Sequence, residues 1–358
     1  MINRMSSQQL AFLVFLLMLG SALIYVPESM TRQDAWISSL LASLVGLYIL
    51  WAILFIQKKY PGISIFKISE VVLGRITGKI FNAFYVWLLI VVSMLYLYDI
   101  AAFLMLIFPD LPYSILYAIV LLLAAYLLYQ GPGIIGRLGE SLVFLTLFLV
   151  LLGLGMTATS AQWSNLSPVL SDWKPVLAGA IYGANWPYAE VSAFALFLPL
   201  LNDLQEKSHK IYIWYLIAVI VLVLRSVMVI ATLGPEYTQL SRFPLFSSMR
   251  LVRFTHFQRV ELFFILLWFI TGFSAIAIFY QSLMLALKDF FKLRTYRPLI
   301  LPTAALLIAL CQCSFAANTT FLQFETSVVT FHSLPIHLIY VSAVLLGVVI
   351  HPRLTGSG

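Results

Sequence analysis

Charge is what this chain has least of. Asp, Glu, Lys and Arg make up 10% of its 358 residues, whereas about a quarter of an average soluble domain is charged. So few charges cannot cover a water-facing surface, which excludes a soluble enzyme, a nucleic-acid binder and a disordered protein. Cysteine is also scarce. The only two, Cys311 and Cys313, lie in one apolar run and on a helix would point in different directions, so they give no disulfide or zinc framework. The five histidines are read as flanking apolar segments or lying in loops, with no shared metal-ligand spacing. No metal and no cofactor is expected. There is no nucleophile with its base and no Gly-rich phosphate loop with Lys and Ser/Thr, so no catalytic residues are assigned.

What the chain has is long apolar runs. Hydrophobic residues reach 62%. About 20 apolar residues cross a bilayer as a helix, and ten stretches qualify: 9–27, 35–56, 80–108, 113–130, 138–158, 176–200, 211–233, 259–287, 298–316 and 334–350. The expected fold class is all-α integral membrane with ten transmembrane helices. Residues 1–354 form one domain, and the tail TGSG at 355–358 reads as an expression scar or frayed end. The first stretch is not expected to be a signal peptide. It lacks an A-x-A-like cleavage site and exceeds the usual ~7–15 residue signal core.

The net charge of +7 follows a topology. With the N-terminus inside, the inner flanks hold fourteen Lys and Arg, five of them in the loop 57–79 and four at 288–297. The outer flanks hold six: Arg32, Lys174, Arg242, Arg250, Arg253 and Arg259. That bias predicts a multi-pass protein in a lipid bilayer with both termini cytoplasmic, and it needs no nucleic acid as a partner. The loop 57–79 is amphipathic and is expected to form an interfacial helix. The outer loop 234–257 is expected to be partly helical, and the outer loop 317–333 is aromatic and nearly uncharged.

Two apolar segments are interrupted. Segment 1 carries Gly20-Ser21 and Pro27, and segment 6 carries Gly183, Asn185 and Pro187 followed by Glu190. Backbone inside a membrane stays unwound only where it is buried in protein or lines a cavity. The two segments are five spans apart, so each opens one half of a five-plus-five repeat. Because five is odd, the halves enter the membrane from opposite sides. Paired interruptions in such halves point to a ligand site at the repeat interface. The glycine cluster GPGIIGRLGE at 131–140 reads as an inner loop and helix start.

Charged groups in the membrane each need a partner or a function, at ~2.5–3.5 kcal/mol or more at the bilayer centre. Glu190 sits near mid-bilayer beside the break and is the first candidate for function. Asp99 is balanced between lining a cavity and pairing with a neighbour. Arg225 is read as a structural partner for an acid or an outward snorkel. Glu140 and Glu261, near helix starts, are read as structural. Broken helix ends offer backbone N–H groups to a carboxylate, and carbonyls with a nearby acid to an ammonium group. A small α-amino acid carries both groups.

The motifs GSALIYVP in segment 1 and NWPYAE in segment 6, with the run FPLFSSMRLVRFTHFQRVELFFILLWFITGF at 243–273, resemble the B subunit of spore germinant receptors, in the amino acid–polyamine–cation transporter superfamily. The resemblance covers essentially the whole chain. Its most specific part is Arg259-x-Glu261 entering an apolar helix with Trp268. It implies a LeuT-like fold with broken helices 1 and 6, a nutrient ligand, and partner subunits of the A and C types, in the spore inner membrane or the bacterial cell membrane. It also implies site residues. Gly20, Ser21, Ala22 and Leu23 would face the ligand carboxylate. Gly183, Ala184, Asn185, Pro187, Tyr188 and Glu190 would face the amino group, and Tyr96 and Thr271 would wall the cavity. One departure stands out: the family's Pro-Phe-Gly-Glu is here Pro187-Tyr188-Ala189-Glu190. Ala189 has less backbone freedom than glycine, so the unwinding is expected to stop earlier. Three functions remain open at this point: a germinant receptor subunit, a proton-coupled amino acid transporter, or a structural or pore-forming subunit.

Overall fold

The computed structural model describes residues 4–23, 25–241, 243–252, 261–314, 324 and 328–350. The helices, in chain order, are α1 Ser7–Leu19, α2 Ala35–Lys59, α3 Ile65–Val72, α4 Arg75–Ile107, α5 Tyr113–Gln130, α6 Pro132–Thr157, α7 Trp173–Gly183, α8 Leu204–Lys207, α9 His209–Leu233, α10 Pro235–Leu240, α11 Pro244–Leu251, α12 Glu261–Phe290, α13 Ile300–Ser314 and α14 Thr330–Ile350. Eight of them are long and apolar enough to cross a membrane: α2, α4, α5, α6, α9, α12, α13 and α14. The chain is a multi-pass helical membrane protein.

The other two apolar segments are broken, at the places the sequence interrupts. Ser6 opens α1 with a capping box to Gln9, and α1 stops at Gly20. A short 3-10 turn, Ser21–Leu23, follows, and then a longer one, Pro27–Asp34. Segment 6 begins as α7, capped by Asp172, and opens into a wide π turn at Ala184–Tyr188. Within that turn Trp186 has extended backbone (φ −141°, ψ 118°). Tight 3-10 turns then run from Ala189 to Leu196. The π turn ends at Tyr188, but regular α-helix does not resume at Ala189, because the 3-10 turns continue to Leu196.

Helix α1 and the 189–196 part of the second broken segment are central, and apolar residues on every face explain why. Leu10–Leu19 of α1 are all buried, because a helix apolar all round has no face to give to water and is enclosed by protein. It packs on α6, α9 and α12, while the 189–196 segment packs on α1, α2 and α12. The outer helices instead expose apolar side chains such as Leu44, Phe84, Phe144, Phe148 and Ile220, as lipid-facing surfaces do.

Boundaries differ from expectation mainly by starting earlier. Helix α6 begins at Pro132, whose missing N–H and preset φ suit a first helical turn. The glycine cluster is therefore largely inside the helix. Gly136 and Gly139 are contact points there, where an added Cβ would come within 2.7 Å of Met5 and 2.9 Å of Leu13. Helix α3 starts at its cap Ser64 and buries Ile65, Phe66, Ile68 and Val72. It packs on α4 and α14, so its apolar face covers the bundle. The loop 234–257 is partly helical as expected, through α10 and α11. Asp203 ties the N-terminal segment down by accepting from the Ser7 N–H at 2.7 Å. Burial works to raise the Asp203 carboxyl, but the Ser7 bonds and Lys207 outweigh it and hold it below the usual carboxylate range. The tail 355–358, Arg259, the side chain of Glu261 and most of the loop 317–333 lie outside the described residues.

Candidate functional site

A cavity of about 610 Å³ opens where the two breaks meet α4, α10, α11 and α14. Its walls come from the chain after the first break (Tyr25–Pro27), the second break (Asn185, Trp186, Glu190), α4 (Tyr96, Asp99) and α14 (Ser333, His337). Its size is that of a small-molecule site, mostly apolar with a few placed polar groups.

Two carboxylates face this space, and a tyrosine holds each. Glu190 accepts from the Tyr96 hydroxyl at 2.5 Å, and Asp99 accepts from the Tyr25 hydroxyl at 3.0 Å. Both acids are at most 5% exposed. No Lys or Arg lines the cavity among the described residues. The Oδ1 of Asn185 is buried and unpartnered there. The electrostatic character is therefore that of a receptor for a positive group.

Of the residues assigned from the sequence, Tyr96, Asn185 and Glu190 come together on this cavity. Of the others, those with described side chains do not line it. Tyr188 turns away and shares a hydrogen bond with Ser39 of α2 at 2.8 Å, and Ala184 and Pro187 are buried in the same turn. Thr271 donates to the Gly20 carbonyl at 3.4 Å and to carbonyls of its own helix. It therefore steadies the end of α1 and does not wall the cavity. Gly20 is packed against Ala275 and Tyr96. Ala22 and Leu23 are buried in the core. The side chain of Ser21 lies outside the described residues.

Arg225 holds the first break. It is fully buried on α9 and reaches across to that break. Its Nη1 donates to the carbonyls of Ala22 (2.5 Å) and Tyr25, and its Nη2 donates to Glu28 Oε2 (3.2 Å). The carbonyls released by unwinding are thus satisfied by a guanidinium. Arg225 has the acid partner expected of it, and that partner is Glu28. Asp99 does both things foreseen for it, lining the cavity and pairing. Glu140 accepts from Gln9 at 3.1 Å, a structural bond.

Sequence reasoning missed four residues. Glu28 follows Pro27 and passed for loop; a buried Arg225 in need of an acid was the available signal. Tyr25 and Trp186 were inside quoted motifs, and their rings pack 5.1 Å apart on the cavity wall. The histidine reading needs correcting. His337 does not flank a span or lie in a loop: α14 starts at Thr330, so His337 falls two turns inside it and is 1% exposed.

Gly183 meets this network directly. A Cβ there would lie 2.9 Å from Glu28 Oε1 and 3.1 Å from the Ala42 Cβ. Gly183→Ala is expected to push Glu28 off Arg225 and cost about 1–3 kcal/mol, as overpacking does. The check is the melting temperature in detergent, with Gly155→Ala as control, since a Cβ at Gly155 meets nothing within 4 Å. Equal melting of the two variants would mean that the contact is loose.

The chain is an all-helical bundle with two broken segments beside a mostly apolar cavity that holds a few polar groups. Its fold is similar to that of a mutant manganese transporter from Eremococcus coleocola, with a TM-score of 0.55, 16% identity, and coverage of 95% of this chain and 78% of that one. Residues 4–320 match the spore germination protein family, and the chain belongs to it. Relatives include spore germination protein KB of Bacillus subtilis, 27% identical over 295 residues that make up 81% of this chain and 79% of that protein. Spore germination protein A2 of the same organism is 23% identical over 79% of this chain and 80% of its own length.

Proposed function

We propose that this chain is the membrane subunit of a nutrient germinant receptor, which binds a small α-amino acid in the cavity and signals germination. The observation that carries this reading is the pair of tyrosine-held carboxylates, Glu190 and Asp99, beside the second break. They would take the ligand ammonium group, with Asn185 Oδ1 as a third acceptor. Binding would shift the population between cavity states, and partner subunits of the A and C types would register the shift. In the same reading the eight unbroken spans and the two broken segments make ten helices in a five-plus-five inverted repeat. The termini are cytoplasmic, and the membrane is that of the spore interior or the cell.

A proton-coupled amino acid transporter is the second reading, favoured by the transporter-like fold and by a buried acid beside a broken helix. Proteoliposomes holding this chain alone separate the two. Binding of an amino acid without uptake is expected for the receptor. Saturable uptake would transfer the function to the transporter, and neither binding nor uptake would leave a structural subunit.

Orientation has its own check. A cysteine introduced by Gly62→Cys is expected to react with an impermeant thiol reagent only from the cytoplasmic side, and one introduced by Leu322→Cys only from outside. Labelling of both from one side would remove the odd-span repeat, and with it the argument from paired breaks.

A further inference from the structure

Glu190 and Asp99 account for one pole of an amino acid. The other pole, an oxygen acceptor, has no partner at the first break, because Gly20, Ala22 and Leu23 do not line the cavity. The α14 wall carries one polar group without a hydrogen-bond partner among the described residues. His337 lines the cavity from α14, is 1% exposed, and its Nε2 has no hydrogen-bond partner among the described residues.

The state of that nitrogen follows from its neighbours. His337 Nδ1 lies 2.6 Å from Ser192 Oγ, and the Tyr85 hydroxyl donates to the same Oγ at 3.0 Å. Tyr85 is fully buried, and Ser192 is the one acceptor its hydroxyl has among the described residues. If Ser192 donated to Tyr85 instead, the phenol proton would be stranded in the core, at the cost of an unpaired buried donor. With Tyr85 donating, the single Ser192 proton goes to Nδ1. A neutral imidazole that accepts at Nδ1 carries its own proton at Nε2. The relay Tyr85–Ser192–His337 therefore leaves the proton on Nε2 of a residue that lines the same cavity as the two acids.

We infer that His337 is a ligand-binding residue, whose Nε2–H takes a carboxylate oxygen of the ligand while Glu190 and Asp99 take its ammonium group. Ser192 and Tyr85 are positioning residues that fix which nitrogen carries the proton. The inference rests on the amino-acid reading above and adds α14 as the element that distinguishes an amino acid from the corresponding amine.

The test uses the full chain in lipid nanodiscs, titrated with the twenty standard amino acids and with the decarboxylated amine of each that binds. The parent is expected to bind the amine about tenfold or more weakly than the amino acid, the worth of one hydrogen bond to a charged group. His337→Asn, which keeps only the Nδ1 position, is expected to lose that preference. His337→Gln, whose amide reaches the Nε2 position, should keep it within about threefold. Ser192→Ala should narrow the ratio without abolishing amine binding, which a merely structural role would not do. Equal binding of amine and amino acid by the parent, or an unchanged ratio in His337→Asn, would overturn the inference and leave the receptor reading standing. The parent comparison needs no variant, so it decides the matter even if His337→Asn fails to fold. Failure of all twenty amino acids to bind the parent would overturn the amino-acid reading, and this inference with it.

Discussion

Arg225→Met is expected to cost the protein most of its folded yield. The side chain is 0% exposed and is paired with Glu28, also 0% exposed. Truncating it leaves a carboxylate in the core with no cation, a loss of about 3–5 kcal/mol. It also strips the donor from the Ala22 and Tyr25 carbonyls, which the break in segment 1 leaves without helical partners. The measurement is the amount of monodisperse protein after extraction, together with its melting temperature. Removing both charges, in Arg225→Met with Glu28→Gln, should recover part of the loss, because the uncompensated charge is then gone. If the single variant is as stable as the parent, or the double variant no better than the single one, the pair does not hold the break.

Glu190→Gln is expected to abolish ligand binding while leaving the protein in the membrane at near-normal level. Glutamine has the size of glutamate and still accepts from the Tyr96 hydroxyl, so the local packing survives. The negative charge does not. Removing one partner of a buried, hydrogen-bonded charge pair costs about 2–5 kcal/mol, roughly thirtyfold or more in affinity. Glu190→Asp keeps the charge on a shorter arm and should retain part of the response. The result is read as a binding isotherm with whichever of the twenty amino acids the parent binds. A Glu190→Gln isotherm that overlays the parent's at equal abundance would remove the ammonium-partner role. Loss of the protein itself would instead assign Glu190 a structural bond.

The apolar segments and their interruptions were legible because they are local. Twenty apolar residues in a row, or Gly and Pro near the middle of such a run, carry their meaning in the sequence itself. Asn185 and Glu190 could be placed at the cavity for the same reason, being at or beside a break, whereas Tyr96 came only from the family resemblance. Partnerships across the bundle could not be read. Glu28 and Arg225 are 197 positions apart, and nothing in either segment names the other. The consequence reached further than one pair, since the same guanidinium also takes the carbonyls of Ala22 and Tyr25. His337 was misplaced by the start of one helix. With four fewer residues at its front, α14 would have left that ring near the membrane surface, where a histidine needs no explanation.

Helix α14 also bears on how occupancy of the cavity could be felt at a distance. His337 and Tyr340 lie less than one turn apart on it, roughly 4.5 Å along the axis. The ring of Tyr340 stacks on Tyr85, with centroids 4.3 Å apart, and its hydroxyl donates to Asn82 Oδ1 at 2.9 Å. Asn82 also accepts from Ser69 at 2.7 Å and donates to the Phe66 carbonyl at 3.1 Å. Ser69 and Phe66 belong to α3, the surface helix at the other end of the bundle. The cavity wall and that surface helix are therefore geared to the same rigid rod. A slide or twist of α14 cannot leave α3 where it was, because the Asn82 clasp must either travel with the rod or let go.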